Sequence, residues 1–397
     1  MAGSVILAGA RTPIGKLSGA FATMAATDLG AIAIAEALGR AGVAPDQVDY
    51  VYMGQVIQAG AGQITARQAA AGAGIPMDVA ATTVNKVCLS GLNAIFLADQ
   101  LIAAGEADIV VAGGMESMTQ APYLLPGARA GYRAGDQTVV DSMMFDGLTC
   151  AFDHCAMGVG TEGYVTAANE AGASFSREAQ DAYAATSHER AATAAKEGRF
   201  AEEIVPVPVP QRKGDPVLVD TDEGVRPGTT SESLSRLRPA FEASGTLTAG
   251  NASQISDGAS AVIVASKAAA ERLGNEPLGE IVGYGQVAGP DTSLLTQPSR
   301  AIRRALERSA TSLSDITLFE INEAFAAVGL ASMADLGITD DITNVDGGAI
   351  ALGHPVGMSG NRLALHLLLE LRRRGGGLGA AALCGGGGQG DAILLRV

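Results

Sequence analysis

Cys88 is one of four cysteines in the 397-residue chain, and it stands in the run VNKVCLSGLN, where a short extended stretch leads into an apolar helix. A sulfur atom just before a helix faces unpaired backbone N–H groups and the positive end of the helix dipole. Such a position can lower the pKa of a thiol from ~8.5 to between ~3.5 and ~7.5. The run therefore predicts a nucleophile, and a small buried hydrophobic residue is the alternative that the position leaves open.

His354 is one of only four histidines, and it lies in the glycine-rich run GGAIALGHPVGMSG. Glycine allows close approach of the backbone, and Pro355 stiffens the turn. A neutral imidazole near a thiol is the usual base that generates a thiolate. A lone histidine is more often structural, but this loop favours a catalytic base.

Cys384 opens the run CGGGGQG directly after a buried strand, and Asn322 follows another strand in EINEAFA. The glycines match G-x-G-x-x-G, but no helix and second strand can follow in the seven residues after Gly390, which excludes a dinucleotide site. Glycines at a strand end expose backbone N–H groups suited to an oxyanion hole. The Asn322 amide can orient a water or an oxyanion, or cap the end of its strand.

An internal repeat organises these loops. The run AIAEALGRAG at 33–42 matches AIRRALERSA at 301–310, and the helix that begins at LSG (89–91) matches the one that begins at MSG (358–360). Two halves with the same order of helices and buried strands predict two doubly wound α/β units packed as a pseudo-dimer. Because ligands of such sheets bind at the carboxyl ends of the strands, the Cys88 and His354 loops should face one centre.

Residues 123–247 have no copy in the other half. This insertion is turn-rich, then forms a polar helix over 177–200 and an extended, proline-rich stretch. It carries basic groups that an anionic ligand would need, although a solvated loop face is the alternative. These basic residues are Arg199, Arg212, Lys213, Arg226, Arg236 and Arg238.

Composition and charge exclude several classes of protein. Acidic residues exceed basic ones by 42 to 27, so a broad nucleic-acid surface is not expected. No apolar run approaches the length of a membrane span and the N-terminus lacks a signal-peptide pattern, so we expect a cytoplasmic protein without membrane contact. The run CAFDHC places Cys150, His154 and Cys155 together without a second ligand pair, so no metal site is expected.

Four blocks, VNKVCLSGLNA, EINEAFA, GGAIALGHPVGMSG and CGGGGQG, resemble in order and spacing the signature blocks of thiolases, in particular of the biosynthetic acetyl-CoA acetyltransferase type. The likeness runs from ILAGARTPIGK to the last strand. It implies the α/β thiolase fold with five layers, αβαβα. An N-terminal half would comprise 1–122, completed by 248–275, and a C-terminal half 276–397, with 123–247 as a loop domain for coenzyme A binding and oligomerisation. It also implies a homotetramer, a dimer of dimers, that needs no cofactor because coenzyme A thioesters are its substrates.

The resemblance further implies a ping-pong Claisen reaction between two acetyl-CoA molecules that gives acetoacetyl-CoA and CoA. Cys88, deprotonated by His354, would take the acetyl group, and Cys384 would remove the α-proton of the second acetyl-CoA. A water held by Asn322, together with His354, would stabilise the enolate oxygen. The backbone N–H groups of Cys88 and Gly386 would bind the acetyl oxygen.

Substrate contacts follow from the same resemblance. Arg226 matches an arginine beside the adenine end of coenzyme A, and Ser253 matches a serine that contacts the pantetheine. Leu148, Met157 and Phe325 match apolar positions that wall the pantetheine and acyl pocket.

Ala156 departs from the family pattern, because many biosynthetic thiolases have a histidine there that contacts the pantetheine. A degradative thiolase for longer 3-ketoacyl-CoA substrates is therefore one alternative. A catalytically silent coenzyme A-binding protein is another, although such a protein would be expected to lose Cys88, His354 or Cys384. A β-ketoacyl synthase would use one Cys and two His, which the cysteine at 384 disfavours.

Overall fold

The computed structural model describes residues 4–274 and 276–397. The strands of this part of the chain are β1 (Val5–Arg11), β2 (Gly15–Lys16), β3 (Tyr50–Gly54), β4 (Ala80–Val84), β5 (Ile109–Ser117), β6 (Tyr123–Leu124), β7 (Val140–Asp141), β8 (Val207–Val209), β9 (Val217–Val219), β10 (Ser256–Ala265), β11 (Gly279–Ala288), β12 (Leu318–Ile321), β13 (Leu378–Gly385) and β14 (Gln389–Arg396). The α-helices are α1 (Ala26–Ala41), α2 (Thr65–Gly72), α3 (Ser90–Ala103), α4 (Met157–Glu170), α5 (Arg177–Lys196), α6 (Ser231–Ser235), α7 (Lys267–Leu273), α8 (Gln297–Ser309), α9 (Ala326–Leu336), α10 (Ala349–Leu352) and α11 (Ser359–Arg373).

The main sheet consists of two half-sheets joined at their edges. Its strand order is β12-β13-β14-β11-β1-β10-β5-β3-β4, and β2 also pairs with β10. The two half-sheets meet where β1 pairs with β11, through Val5 with Glu280 and Ile6 with Gly279. This junction is short, so few backbone hydrogen bonds join the two half-sheets.

The two half-sheets repeat one topology, which confirms the duplication predicted from the sequence. In the first half β3 is parallel to β5 and β5 is antiparallel to β10, and in the second β12 is parallel to β13 and β13 is antiparallel to β14. A parallel bridge between Phe319 and Thr343 occupies the place that β4 has beside β3. The sequence repeat therefore corresponds to a structural repeat.

Five layers result from how the helices cover the sheet. Helix α1 packs on the outer face of the first half-sheet, and α8 packs on the outer face of the second. Helices α3 and α11 lie between the half-sheets and share one apolar core with both of them. The side chains of β13 alternate between two of these layers. Ala381 and Leu383 face the central helices, while Ala380 and Ala382 face α8.

Glycines bring the two central helices into contact at their first turns. A Cβ atom on Gly91 would lie 2.8 Å from the carbonyl oxygen of Gly357 and 3.0 Å from the amide nitrogen of Asn361. A Cβ atom on Gly360 would lie 2.6 Å from the amide nitrogen of Leu92. Only glycine permits this approach. The N-termini of α3 and α11, next to Cys88 and His354, are therefore adjacent.

The segment 123–247 covers one end of this frame. It contains the β6–β7 hairpin, the β8–β9 ribbon and helices α4 to α6. The predicted polar helix is α5, whose first turn is capped by the Ser176 hydroxyl, which accepts a hydrogen bond from the amide of Ala179. Within residues 4–274 and 276–397, every helix is too short or too polar to cross a membrane.

Candidate active site

Cys88 lies on a tight elbow between β4 and α3. The preceding residue, Val87, has φ +51°, a conformation that costs a β-branched residue about 1–3 kcal/mol. Two side chains hold the elbow: the side-chain Oδ1 of Asn85 accepts a hydrogen bond from the Val87 backbone amide at 3.1 Å, and the Ser90 hydroxyl donates to the Val87 backbone carbonyl at 2.6 Å. The strained turn presents the Cys88 thiol in front of α3.

The electrostatic surroundings of Cys88 correct one prediction. The pKa of its thiol is raised to about 11, because burial disfavours the thiolate and the buried Glu116 carboxyl adds to this effect. The backbone N–H groups of Cys88 itself and of Gly386 point at the sulfur and oppose the shift. The lowered pKa expected from the helix N-terminus is therefore wrong, because desolvation outweighs the N–H groups. The same two N–H groups are the pair predicted to form the oxyanion hole.

His354 is held with one ring nitrogen free to accept a proton. Its Nδ1 lies 2.6 Å from the Ser359 hydroxyl, which donates its own hydrogen to the Pro355 carbonyl at 3.0 Å. Because a hydroxyl has one hydrogen, Nδ1 must carry a proton and donate it to Ser359, which leaves Nε2 as an acceptor. Burial, and then the positive Arg362, lower the pKa of His354 to about 4, so the ring is neutral at pH 7.

A buried carboxyl fixes the loop that follows His354. Glu116, at the carboxyl end of β5, accepts hydrogen bonds from the amides of Gly357 at 3.0 Å, Val56 at 2.9 Å and Ile57 at 3.1 Å. Burial raises the pKa of Glu116 to about 8, although the three N–H donors pull it down. Glu116 therefore ties the His354 loop to the loop after β3.

Asn322 follows β12 and faces His354. Its amide Nδ2 lies 3.5 Å from His354 Nε2, while its buried Oδ1 accepts no hydrogen bond from the described residues. A buried acceptor without a partner is rare and suits an ordered water or a ligand. The next residue, Glu323, turns the other way and binds the Ser187 hydroxyl at 2.7 Å and the Ile350 amide at 3.0 Å, so it stabilises the fold around the site.

Cys384 lies one residue before the end of β13, in an apolar cluster that includes Phe325. Burial, followed by the proximity of Cys88, raises the pKa of Cys384 well above its ordinary value. The two cysteines come from different halves of the chain and are close enough to influence each other's charge. The glycine turn after β13 carries Gly386, whose N–H points at Cys88.

A cavity of about 530 Å³ opens beside His354, and all five predicted substrate-binding residues line it. These are Leu148, Met157, Arg226, Ser253 and Phe325. Lys16 lines it too, so two cations stand at the wall of a mostly apolar cavity. Cys88 and Cys384 are not part of this wall, but Cys88 packs against an apolar cluster that includes the wall residue Val356, and Cys384 belongs to a cluster that includes the wall residue Phe325.

The other basic residues predicted on the insertion do not line this cavity. Arg199 pairs with Glu197 and Asp346, and Arg236 pairs with Glu232. A larger cleft of about 840 Å³ lies elsewhere on the surface, beside Lys267, and contains none of the predicted site residues. The chemistry and the convergence of predicted residues point to the smaller cavity.

Several residues of the site were missed in the sequence. Lys16 lies in the run ARTPIGK and was not predicted to line the cavity. Glu116 is an acidic residue at the end of an apolar strand, and this pattern could have indicated a functional position. Ser359 belongs to the repeated Ser-Gly at the helix starts, and its contact with His354 depends on the turn of the loop. Cys150 and Cys155 are not among the residues that line the cavity, and the described residues contain no group of three or more metal-ligating side chains.

Taken together, a half-buried thiol, a neutral imidazole with an unprotonated Nε2, a second thiol and two convergent N–H groups form an arrangement suited to cysteine-dependent acyl transfer on a duplicated α/β frame. Sequence comparison agrees with this class. Residues 4–268 match the thiolase N-terminal domain, and residues 275–397 match the thiolase C-terminal domain. The chain belongs to the thiolase family.

Relatives in several bacteria match the chain over its whole length. A protein of Mycolicibacterium smegmatis named probable acetyl-CoA acetyltransferase is 58% identical over 392 residues, 99% of this chain and 100% of that protein. A protein of the same name from Mycobacterium tuberculosis is 56% identical, with 100% of both chains covered. The acetyl-CoA acetyltransferase of Cupriavidus necator is 50% identical over 99% of this chain and 98% of its own length.

Proposed function

We propose that the protein is an acetyl-CoA C-acetyltransferase, which condenses two acetyl-CoA molecules to acetoacetyl-CoA and CoA and catalyses the reverse thiolysis. One observation carries the proposal: Cys88, His354, Asn322 and Cys384 converge behind a cavity that Arg226 lines. The names of the bacterial relatives support the same activity.

The first half-reaction transfers an acetyl group to Cys88. His354 Nε2 takes the thiol proton as the sulfur attacks the thioester carbon, and the N–H groups of Cys88 and Gly386 stabilise the oxyanion that forms. The oxyanion then collapses, the bond to the coenzyme A sulfur breaks, and Cys384 protonates the departing thiolate. Acetyl-Cys88, a Cys384 thiolate and a protonated His354 remain.

The second half-reaction forms the carbon–carbon bond. The Cys384 thiolate removes an α-proton from a second acetyl-CoA, and the enolate oxygen is stabilised by protonated His354 and by a water on Asn322, whose Oδ1 accepts no hydrogen bond within residues 4–274 and 276–397. The carbanion attacks the acetyl carbon, and Cys88 leaves as a thiolate. Cys88 regains its proton from His354, so the site returns to its starting state.

The cavity suits a coenzyme A thioester. Arg226 and Lys16 offer positive charge to phosphates, and Ser253 offers a hydroxyl to the pantetheine, whose carbon chain would lie against Leu148, Met157 and Phe325. Ala156 is part of the wall and its small side chain leaves room, which keeps a broader-range 3-ketoacyl-CoA thiolase as a second candidate. Thiolysis rates on 3-ketoacyl-CoA substrates of increasing length separate the two.

The proposed assembly is a homotetramer built from two dimers. Strand β4 is an open edge of the main sheet, which offers unpaired backbone groups to a second copy. Apolar side chains project from the segment 123–152, where Tyr123, Val139 and Phe145 are 68%, 54% and 63% exposed. Light scattering at micromolar concentration should give the mass of four chains, and a monomer would contradict the proposal.

The proposed domain division keeps 1–122 with 248–275, sets 123–247 apart as the loop domain, and ends with 276–397. It is supported by β10, which pairs with both β1 and β5 and so belongs to the first half-sheet. Limited proteolysis should cut first within 123–247. We also propose a cytoplasmic location, which fractionation of the source cells would test.

The function itself is tested by incubating the protein with acetyl-CoA. Acetoacetyl-CoA should form, and brief incubation followed by peptide mass mapping should find one acetyl group on Cys88. An acetyl group on Cys384 alone would reverse the two roles. Absence of both acetylation and product would refute the activity.

A further inference from the structure

An ion pair lies directly beside the nucleophile elbow. Lys86 Nζ contacts both carboxylate oxygens of Asp391, at 2.8 Å and 3.0 Å. Lys86 is two residues before Cys88 and its side chain is 22% exposed, whereas the Asp391 side chain is fully buried. A buried charge is costly unless it is paired, so Asp391 strongly constrains where Lys86 can lie.

The two partners belong to the two halves of the site. Lys86 is part of the elbow, where its amide donates a hydrogen bond to the Ser90 hydroxyl at 2.8 Å. Asp391 lies on β14 opposite Leu383, the residue before Cys384 on β13. The ion pair therefore connects the Cys88 elbow with the strand pair that holds Cys384 and, in the turn between its strands, Gly386.

The elbow needs such a connection. Val87 is held at φ +51°, and a strained residue keeps that conformation only where the surrounding structure over-determines it. The oxyanion hole also needs one N–H from each half, Cys88 on the elbow and Gly386 on the turn. Groups of this kind must be held to within about 0.5 Å of the productive geometry, and a misplacement of about 1 Å can cost about 100-fold in rate.

We propose that Lys86 and Asp391 are positioning residues. Their ion pair fixes the position of the Cys88 elbow relative to the Cys384 strand and to the Gly386 N–H. Neither side chain takes part in the chemistry, because each acts through the backbone that it anchors. This inference rests on the proposed function. It predicts a loss of turnover when the pair is broken, with little change in substrate binding.

Lys86→Gln tests the inference most directly. Burial already raises the pKa of Asp391, and the side chains of Gln286 and Asn93 also hydrogen-bond to its carboxyl, so the carboxyl can take up a proton when Lys86 is replaced and the chain can still fold. We expect kcat for condensation to fall by roughly 10- to 100-fold and the rate of Cys88 acetylation to fall in parallel, with KM for acetyl-CoA within about threefold. Lys86→Arg, which can still reach Asp391, should recover most of the lost kcat.

Lys267→Gln is the matched control, because Lys267 also pairs with a carboxylate, Glu280, but lies far from the site on the surface. It should leave kcat unchanged. If Lys86→Gln fails to fold, Asp391→Asn is tested instead, because it keeps the shape of the side chain. The same loss of kcat is expected for this variant.

Two results would overturn the inference: a folded Lys86→Gln protein with kcat within twofold of the unmodified enzyme, or a Lys86→Arg protein as impaired as Lys86→Gln. The unmodified enzyme is measured in parallel. If it forms no acetyl-Cys88, the proposed function fails, whatever the variants do.

Discussion

At the scale of single residues, two opposing effects act on the Cys88 thiol. A helix N-terminus stabilises a negative charge by about 0.3–1 kcal/mol at the surface and by up to about 2 kcal/mol in a partly buried site, which is about 1.5 pKa units at most, whereas desolvation by burial shifts a pKa by up to about 3–5 units. Burial is therefore the larger effect, and the pKa of Cys88 is raised to about 11. In the proposed mechanism the reaction therefore starts from a neutral thiol and a neutral His354, and the imidazole takes the proton as the sulfur attacks.

This pair predicts an unusual pH dependence. His354 must be neutral to accept the proton, and because its pKa is lowered to about 4, it stays neutral down to that pH. Because neutral His354 takes the proton during the attack itself, the rate of Cys88 acetylation by acetyl-CoA, measured by brief incubation and peptide mass mapping, should change little between about pH 5.5 and 8.5. In a His354→Ala variant the same rate should rise roughly tenfold per pH unit up to about pH 10, since only the thiolate fraction then limits it. A rise centred near pH 6.5 in the unmodified enzyme would contradict this interpretation.

The sequence could predict which residues converge at the proposed site, but it could not predict their electrostatics. Cys88, His354, Asn322 and Cys384 stand at element boundaries in glycine-rich or strand-end runs, which local patterns reveal. The raised pKa of Cys88 depends on atoms far away in the sequence, and no local pattern carries that information. The same holds for the Ser359 contact that fixes the His354 tautomer.

At the scale of elements, the site depends on how closely α3 and α11 approach. Gly91 and Gly360 allow the two helices to touch at the turns that carry Cys88 and His354. The strand and helix repeat was readable in the sequence because it rests on local periodicity. The β1–β11 junction and the bridge at Thr343 were not, because such pairings join residues without a local signal.

Gly91→Ala should separate the two helices. Its Cβ would lie 2.8 Å from the Gly357 carbonyl oxygen, which belongs to backbone that cannot move aside without shifting the His354 loop. We expect a loss of about 1–3 kcal/mol in the free energy of unfolding, measured by denaturant titration, and roughly a tenfold loss of kcat. Gly39→Ala in α1 is the control, because a Cβ there meets nothing within 4 Å. It should be neutral or stabilise by up to about 1 kcal/mol. Equal effects of the two substitutions would refute the close-contact argument.

At the scale of the whole molecule, the duplicated frame supplies a site that neither half contains alone. The first half provides the Cys88 elbow, and the second provides His354, Asn322, Cys384 and the Gly386 turn. The duplication brings the Cys88 elbow, the His354 loop and the end of the Cys384 strand to one centre. Two thiols can therefore act there in different roles. Because the thiols are close together, their roles are distinguishable only by separating the two half-reactions.

The central claim is that Cys88 carries the acetyl group and Cys384 transfers the proton, and paired Cys→Ala variants test it most directly. For each variant, acetyl incorporation from acetyl-CoA and acetoacetyl-CoA formation are measured separately. Cys384→Ala should still acetylate Cys88, more slowly because the departing CoA loses its proton donor, while condensation falls by about 10²- to 10⁴-fold. Cys88→Ala should abolish both. A Cys384→Ala enzyme that condenses acetyl-CoA at nearly the unmodified rate would contradict the account and move the proton transfer to His354.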